Sequence, residues 1–503
     1  MTHANAGHPE VPIQDLKHRA IRGAFAKICS QGTNFALRIG SLMVLSRLLE
    51  PRDFGLVGMV TAVTGIFDLF KDFGLSTAAV QRAKITQEQH STLFWVNILV
   101  GGVLGLLVLA SAPMIARFYH EPRLFAVTAV LATGFLANAS GVQHGAFLQR
   151  HLRFTTLAII EIIALVISIA VAIGMALRGY GYWALVGMAI SQPLVSTSLL
   201  WVASGWLPGI PRRGVDLVSM LRFGGTITLN GLVVYLAYNL EKVLLGRYWG
   251  AAALGIYGRA YQLVNIPTSN LNSAAGGVAF AALSRLQNDP LRFKNYFLKG
   301  YSLVLALTIP ITLLCALFAD DIILVLLGPK WNGTGAIFRL LAPTILIFAL
   351  INPLAWLLLS MGMVGRSLKI AMVLAPVVIF GYVVGLPHGP VGVAVGYSAM
   401  MTFWVLPHIA WCVRDTVVSF RDIVVVLSRP LFSGLIAAIG PFVLLILYGH
   451  FASPLARLLV GASLFVGVYL AMLLVVMKQK DLYVDVLRGF KRSPIGEKSL
   501  VSA

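Results

Sequence analysis

Charged residues are scarce in this 503-residue chain: they make up only 12% of it, whereas 58% of the residues are hydrophobic. A soluble protein of ordinary composition carries about 25% charged residues. The shortage excludes a soluble enzyme and a disordered chain. It also argues against a nucleic-acid binder, although the net charge of +20 alone would indicate one.

Cysteine is rare, and the common motifs of catalytic sites are missing. Cys29, Cys315 and Cys412 all lie in apolar runs and offer neither a disulfide framework nor a CxxC metal spacing. No P-loop, HExxH, GxSxG or paired-carboxylate motif stands in a polar loop. The sequence therefore predicts a protein that is not an enzyme and that uses no cofactor and no metal.

Long apolar runs recur from one end of the chain to the other. A membrane-crossing helix needs about 20 mostly apolar residues, and this length yields about 14 candidate spans joined by short loops. The sequence thus predicts an all-α polytopic membrane protein with about 14 transmembrane helices. The spans run roughly over 21–46, 53–70, 92–116, 124–149, 154–178, 181–203, 219–246, 252–283, 299–327, 334–360, 367–386, 389–413, 429–450 and 455–477.

Basic residues are distributed unequally between the two ends of these spans. Of the 39 Lys and Arg residues, 26 lie in the tails and even-numbered loops and only 8 on the opposite side. Because cytoplasmic loops carry the excess of Lys and Arg, both termini are predicted to be cytoplasmic. The other five lie within spans: Lys27, Arg38, Lys242, Arg259 and Arg339.

The chain aligns weakly with itself about 200 residues further on. Leu45-Ser46-Arg47 matches Leu245-Gly246-Arg247, and Phe54 to Gly58 matches Leu254 to Gly258. Since each copy holds an even number of spans, the two copies have the same orientation. This predicts two parallel six-helix lobes at 1–203 and 219–413, a Pro- and Gly-rich linker at 204–218, and two extra helices with a cytoplasmic tail at 414–503.

A polar stripe runs along the first span. Lys27, Gln31, Asn34 and Arg38 follow one another at helical steps of four, three and four, which place them on one face. Ionisable groups at membrane depth usually face a bundle interior or a wet cavity. Lys27 can alternatively extend to the headgroups, whereas Arg38 lies too deep for that.

Equivalent spans of the second copy carry polar residues as well. Asn230 and Glu241 lie in the seventh span, and Arg259 and Gln262 in the eighth. A polar cavity shared by the two lobes explains both stripes. Because its cations slightly outnumber its acids, the cavity suits an anionic substrate such as a lipid-linked diphosphate.

Three carboxylates in the spans are candidates for binding a coupling ion: Asp68, Glu161 and Glu241. Each has a structural alternative. Asp68 can simply be solvated near the cytoplasmic end, Glu161 can be a structural partner, and Glu241 can pair with Lys242. Arg339, near the outer end of the tenth span, is expected to reach the outer headgroups.

Several stretches of the sequence resemble the polysaccharide-transporter family of bacterial lipid-linked oligosaccharide flippases, the Wzx type. This family shares a superfamily with multidrug and toxin extrusion pumps and the lipid II flippase. The resemblance covers about residues 15 to 480. The matching stretches are Ser46 to Gly55, Asp72 to Ser76, Val80 to Arg82, Leu245 to Arg247, Leu254 to Tyr257, Ala260-Tyr261, Pro267 and Leu283 to Gln287.

The resemblance implies a V-shaped pair of lobes and alternating access in the bacterial inner membrane. The implied substrate is an undecaprenyl-diphosphate-linked repeat unit for exopolysaccharide, capsule or O-antigen synthesis, and the implied partners are membrane lipids, a polysaccharide polymerase and export machinery, without nucleic acid. A cationic cavity would receive the diphosphate, and Lys27, Arg38 and Arg259 are the residues expected there.

Two other functions stay open at this point. One is a cation-coupled multidrug exporter of the related branch, for which a mainly acidic and aromatic cavity would be expected. The other is a membrane polysaccharide polymerase or ligase. The short loops on the outer side disfavour it, since such enzymes generally carry a large periplasmic loop.

Overall fold

A computed structural model describes residues 13–71, 86–211, 217–448, 453–477 and 479. The side chains of residues 13–29, 217–230, 364 and most of 270–281 lie outside this description. The described part of the chain is helical throughout and contains no strand. The predicted all-α class is therefore confirmed.

The helices follow one another with short connections. Their bounds are α1 (Ile13–Leu48), α2 (Pro51–Asp68), α3 (Gln87–Tyr119), α4 (Arg123–Arg150), α5 (Phe154–Leu177), α6 (Trp183–Ser204), α7 (Leu217–Arg285), α8 (Pro290–Leu317), α9 (Ala319–Leu326), α10 (Thr334–Leu341), α11 (Pro343–Ser360), α12 (Val364–Gly385), α13 (Gly389–Val413), α14 (Phe420–Tyr448) and α15 (Pro454–Ala471). Within the described residues, every predicted span overlaps helix over most of its length.

Helix ends are defined by capping residues that the apolar pattern does not reveal. Thr86 caps α3: its hydroxyl accepts from the Gln89 amide at 3.2 Å, and the Gln89 side chain accepts from the Thr86 amide at 3.0 Å. The carboxylate of Asp289 caps α8 by accepting from the Arg292 amide at 3.0 Å, and Pro290 follows it at the first helical position. The helix α8 therefore begins nine residues before the apolar run that predicts it.

A single glycine separates the two spans within α7. Gly250 has φ 81° and ψ −179°, a conformation open essentially to glycine alone. The predicted seventh and eighth spans end and begin on either side of it. The predicted ninth and tenth spans, in contrast, are each divided into two helices. The ninth span corresponds to α8 and α9, and the tenth to α10 and α11. Pro343 begins α11, where its missing N–H interrupts the helix.

Large apolar side chains lie exposed on the helix surfaces. Leu99, Leu106 and Met114 of α3 are about two-thirds exposed. Within the described residues, nine helical segments are long and apolar enough to cross a bilayer, and one of them, 365–413, comprises both α12 and α13. Exposed apolar faces of this length are stable only against lipid, so the chain is a multi-pass membrane protein.

The described residues group into two units, which divide between Gly255 and Ile256. In the first unit, Trp206 is buried among His90, Phe94 and His144. The adjoining non-helical residues are held in place, because the Trp95 indole donates to the Gly209 carbonyl at 2.9 Å. In the second unit, Tyr469 donates to the Ala306 carbonyl at 2.8 Å and attaches α15 to α8.

Ion pairs between loops agree with the predicted alternation of the spans across the membrane. Arg52 meets Glu121 at 3.0 Å, and both lie in odd-numbered loops. Lys294 meets Asp422 at 2.7 Å, and both lie in the even-numbered set. Arg366 pairs with Asp415, and Arg457 pairs with Asp321. In both pairs the two residues lie at helix ends that are predicted to be on the same side of the membrane.

The internal repeat has a reciprocal contact inside the first unit. A Cβ added to Gly55 would lie 1.7 Å from the Ala251 carbonyl oxygen, and one added to Gly255 would lie 1.8 Å from the Pro51 carbonyl oxygen. A shift of 200 residues converts each contact into the other. Within the first unit, the two contacts between α2 and residues 251–255 are therefore equivalent under this shift.

Candidate functional site

The first-span stripe divides into one buried and two exposed side chains. Asn34 is buried and donates to the Ser30 hydroxyl at 3.4 Å, whereas Gln31 and Arg38 are exposed. The backbone carbonyl of Arg38 accepts a hydrogen bond from the Ser41 hydroxyl at 2.9 Å, so the Arg38 guanidinium is not needed as a donor to this carbonyl. The side chain of Lys27 lies outside the described residues. Arg38 is therefore the cation of this stripe that the structure presents at the surface of α1.

The part of the second stripe that lies in the second unit holds an arginine and a glutamine that contact each other. Nη1 of Arg259 donates to Oε1 of Gln262, one turn along the same helix. Arg259 is half-buried and Gln262 is exposed. The side chain of Asn230 lies outside the described residues. The contact fixes the orientation of the guanidinium relative to Gln262.

The carboxylates of Asp68 and Glu241 lie on the two helices, α2 and α7, that Tyr235 joins. Glu241 is fully buried, whereas Asp68 is exposed and lies 3.6 Å from the Lys71 ammonium. Both carboxylates are near enough to Tyr235 to act on its phenol electrostatically. Two of the three predicted coupling candidates therefore belong to one cluster, although they lie on different helices.

Tyr235 is itself held by the backbone of α2. Its hydroxyl donates to the carbonyl oxygens of Thr61 at 3.2 Å and of Ala62 at 3.1 Å. Gly65 makes room for it, because a Cβ there would lie 2.0 Å from the tyrosine oxygen. This contact fixes the approach of α2 to the first half of α7 beside the carboxylates.

The sequence interpretation missed Tyr235 and its neighbour Asn239. Asn239 accepts from the Lys242 ammonium at 2.6 Å. Residues 235, 239 and 242 follow helical steps of four and three, the same signal that identified the stripe of α1. Extending the search for helical spacing to Tyr235, Asn239 and Lys242 would have found these residues.

Two other ionisable residues lie apart from this cluster. Glu161 is exposed on α5. Arg339 does not simply extend to headgroups: it forms an ion pair with Asp320 at 2.6 Å and donates to the Ala316 carbonyl at 3.3 Å. In the described part of the chain, no group of three or more His, Cys, Asp or Glu residues could hold a metal ion.

Several known proteins are similar to this chain in sequence or in structure. The lipopolysaccharide biosynthesis protein WzxC of Escherichia coli K12 is 26% identical over 392 residues, which span 76% of this chain and 78% of WzxC. The teichuronic acid biosynthesis protein TuaB of Bacillus subtilis 168 is 33% identical over 296 residues, which span 58% of this chain and 61% of TuaB.

Among solved structures, the lipid II flippase MurJ in an inward closed conformation has a TM-score of 0.72 at 14% identity. The match covers 92% of this chain and all of the MurJ chain, so the two proteins share a fold. Residues 44–335, more than half of the chain, match the family described as polysaccharide biosynthesis protein. The chain therefore belongs to that family.

Proposed function

We propose that this chain is a flippase that moves undecaprenyl-diphosphate-linked oligosaccharide repeat units across the bacterial inner membrane by alternating access. The observation that carries the proposal is that a chain of a polysaccharide biosynthesis family has a multi-pass, all-helical fold shared with a lipid II flippase. Polysaccharide assembly on a lipid carrier requires a step that transfers a large polar headgroup across hydrocarbon, and this fold class serves that step.

The positively charged residues of the two stripes bind the diphosphate in this proposal. Lys27, Arg38 and Arg259 supply the charges, since Arg and Lys hold phosphate oxygens strongly through charge-assisted hydrogen bonds. The neutral side chains of the same stripes, which bind sugar hydroxyls, are Gln31, Asn34, Asn230 and Gln262. The exposure of Arg38 at membrane depth supports this role, because lipid alone would not stabilise its charge.

The carboxylates near Tyr235 bind the coupling ion in this proposal. Glu241 is fully buried, and Asp68 lies on α2, which Tyr235 joins to the helix of Glu241. A proton or a sodium ion that neutralises a buried carboxylate changes the packing of α2 against α7, which is the kind of local charge change that biases a two-state element. Glu161 is the third candidate and acts separately, from α5.

The flippase lies in the inner membrane with both termini in the cytoplasm. The excess of basic residues in the tails and even-numbered loops supports this orientation. It receives lipid-linked repeat units assembled on the cytoplasmic side and delivers them to a polymerase and to the export machinery for exopolysaccharide, capsule or O-antigen.

A deletion strain tests the proposal. Loss of the gene is expected to abolish surface polysaccharide and to accumulate the lipid-linked repeat unit, and the wild-type gene on a plasmid is expected to restore both. Unchanged polysaccharide together with new sensitivity to cationic dyes would contradict the proposal and identify a drug exporter instead.

A further inference from the structure

A cavity of about 290 Å³ lies between α8 and α14 in the second unit. It sits one turn from the ion pair of Lys294 with Asp422, which joins the same two helices at 2.7 Å. The side chains that line it are those of Asn295, Leu298, Lys299, Ser302, Val425, Val426, Arg429 and Gln479. The lining therefore combines two cations, several neutral hydrogen-bonding groups and an apolar wall.

Three side chains of this lining, Lys299, Arg429 and Ser302, carry donors for which the described structure shows no acceptor. Among the described residues, neither Lys299 nor Arg429 forms an ion pair with an acid, and the nearby Asp422 is engaged by Lys294. Ser302 is 3% exposed, and its hydroxyl has no hydrogen-bond partner in the described structure. A buried hydroxyl of this kind is destabilising unless a partner satisfies it. Two cations beside such a hydroxyl form a donor set suited to phosphate oxygens.

The position of the cavity favours a lipid over a free anion. Lys299 and Arg429 belong to the set of basic residues predicted to lie at the cytoplasmic surface. Val425, at the cavity, and Phe432, about two turns along α14, expose roughly half of their side chains. A molecule that fills the cavity thus meets cations at one end and a lipid-exposed apolar face along the helix.

We propose that this cavity binds the headgroup phosphate of an anionic phospholipid of the cytoplasmic leaflet. Lys299 and Arg429 hold the phosphodiester oxygens, and the Ser302 hydroxyl donates to one of them. The acyl chains lie against the exposed apolar residues of α14. Basic pockets between helices on the cytoplasmic side are suited to such headgroups, and the bound lipid would link α14 to α8.

The test is lipid binding to the purified full-length protein in detergent, measured by native mass spectrometry and by the rise in unfolding temperature on adding lipid. Dioleoyl phosphatidylglycerol is expected to bind and stabilise more than dioleoyl phosphatidylcholine, which has the same acyl chains. The Lys299→Gln/Arg429→Gln double variant is expected to lower the affinity for phosphatidylglycerol about tenfold, because it removes the two cations that attract the anionic headgroup at the membrane surface. The matched control Lys369→Gln/Arg421→Gln removes two exposed cations outside the cavity and is expected to bind as the wild type does.

Three results would overturn the proposal. The first is equal binding of the two lipids by the wild type, which needs no variant and so does not depend on a variant folding. The second is equal loss of binding in both double variants, which would indicate only a general surface charge effect. The third is competition by millimolar inorganic phosphate or pyrophosphate that displaces the lipid and stabilises the protein on its own, which would identify a free-phosphate site.

Discussion

Gly55 of α2 lies so close to Ala251 of α7 that an added Cβ would be 1.7 Å from the Ala251 carbonyl oxygen. Gly255 makes the equivalent contact with Pro51, with a distance of 1.8 Å. No side chain fits at either position without moving backbone. The two contacts, related by a shift of 200 residues, allow α2 and residues 251–255 of α7 to approach through backbone alone, as small residues do at membrane helix interfaces.

Substitution of either glycine is expected to force these helices apart. Gly55→Ala and Gly255→Ala should each lower the free energy of unfolding by about 1–3 kcal/mol, because overpacking displaces backbone. Gly58→Ala is the matched control, since its added Cβ would make only an ordinary contact with Leu254 at 3.5 Å. Thermal unfolding in detergent measures the effect. If Gly55→Ala is as stable as Gly58→Ala, the close approach does not occur in the protein.

Two adjacent aspartates allow a comparison of a buried and an exposed ion pair. Asp321 and Arg457 expose 7% and 19% of their side chains, whereas Asp320 and Arg339 expose 68% and 51%. Asp321→Asn is expected to lower the free energy of unfolding by about 3 kcal/mol, because it removes the buried carboxylate that the half-buried Arg457 contacts. Asp320→Asn is expected to cost no more than about 1 kcal/mol. Equal shifts in unfolding temperature for the two variants would show that burial does not distinguish these pairs.

The carboxylate cluster leads to a prediction about coupling. Glu241→Gln is expected to cut polysaccharide export to about a tenth or less, because a functional carboxylate buried at membrane depth can no longer bind or release a cation. Tyr235→Phe, which removes the bonds to Thr61 and Ala62, should reduce export less. Export is measured as surface polysaccharide at matched protein levels. Normal export by Glu241→Gln with loss of export by Glu161→Gln would transfer the coupling role to α5.

The cationic stripes lead to a separate prediction. Arg38→Ala and Arg259→Ala are each expected to reduce export about tenfold or more while protein levels stay near normal, since each removes a charge that binds phosphate oxygens. Arg178→Ala is the control, because Arg178 lies at the opposite end of α5 from the predicted cytoplasmic side. Wild-type export by both Arg38→Ala and Arg259→Ala would exclude diphosphate binding by these residues.

Much of the fold could be read from local sequence patterns. The apolar runs located every span, and the glycine at 250 explains why two spans meet without a loop. The predicted positions of helix ends were less accurate. Asp289 and Pro290, for example, start α8 in a polar segment, which an apolar pattern cannot identify as helix. Pro343 begins α11 and so divides the predicted tenth span, although the residues on both sides of it are apolar.

The candidate site was less predictable, because side-chain partners depend on distant residues. The sequence predicts that Arg339 of α10 reaches the outer headgroups. In the structure its partner is Asp320 of α9, nineteen residues earlier in the chain. Tyr235 belongs to no motif in the sequence, and only the packing of α2 against α7 reveals its bonds to Thr61 and Ala62. Helical spacing shows which residues share a face but not what that face contacts.

Flipping by the purified protein tests the central claim most directly. The protein is reconstituted into liposomes that carry a fluorescent undecaprenyl-diphosphate oligosaccharide in both leaflets, and an impermeant quencher is added outside. The account predicts that the fluorescence of both leaflets is lost with the wild type, and that the Arg38→Ala/Arg259→Ala variant leaves the inner-leaflet signal protected. An inner-leaflet signal that stays protected with the wild type, with an imposed proton or sodium gradient as well as without one, would contradict it.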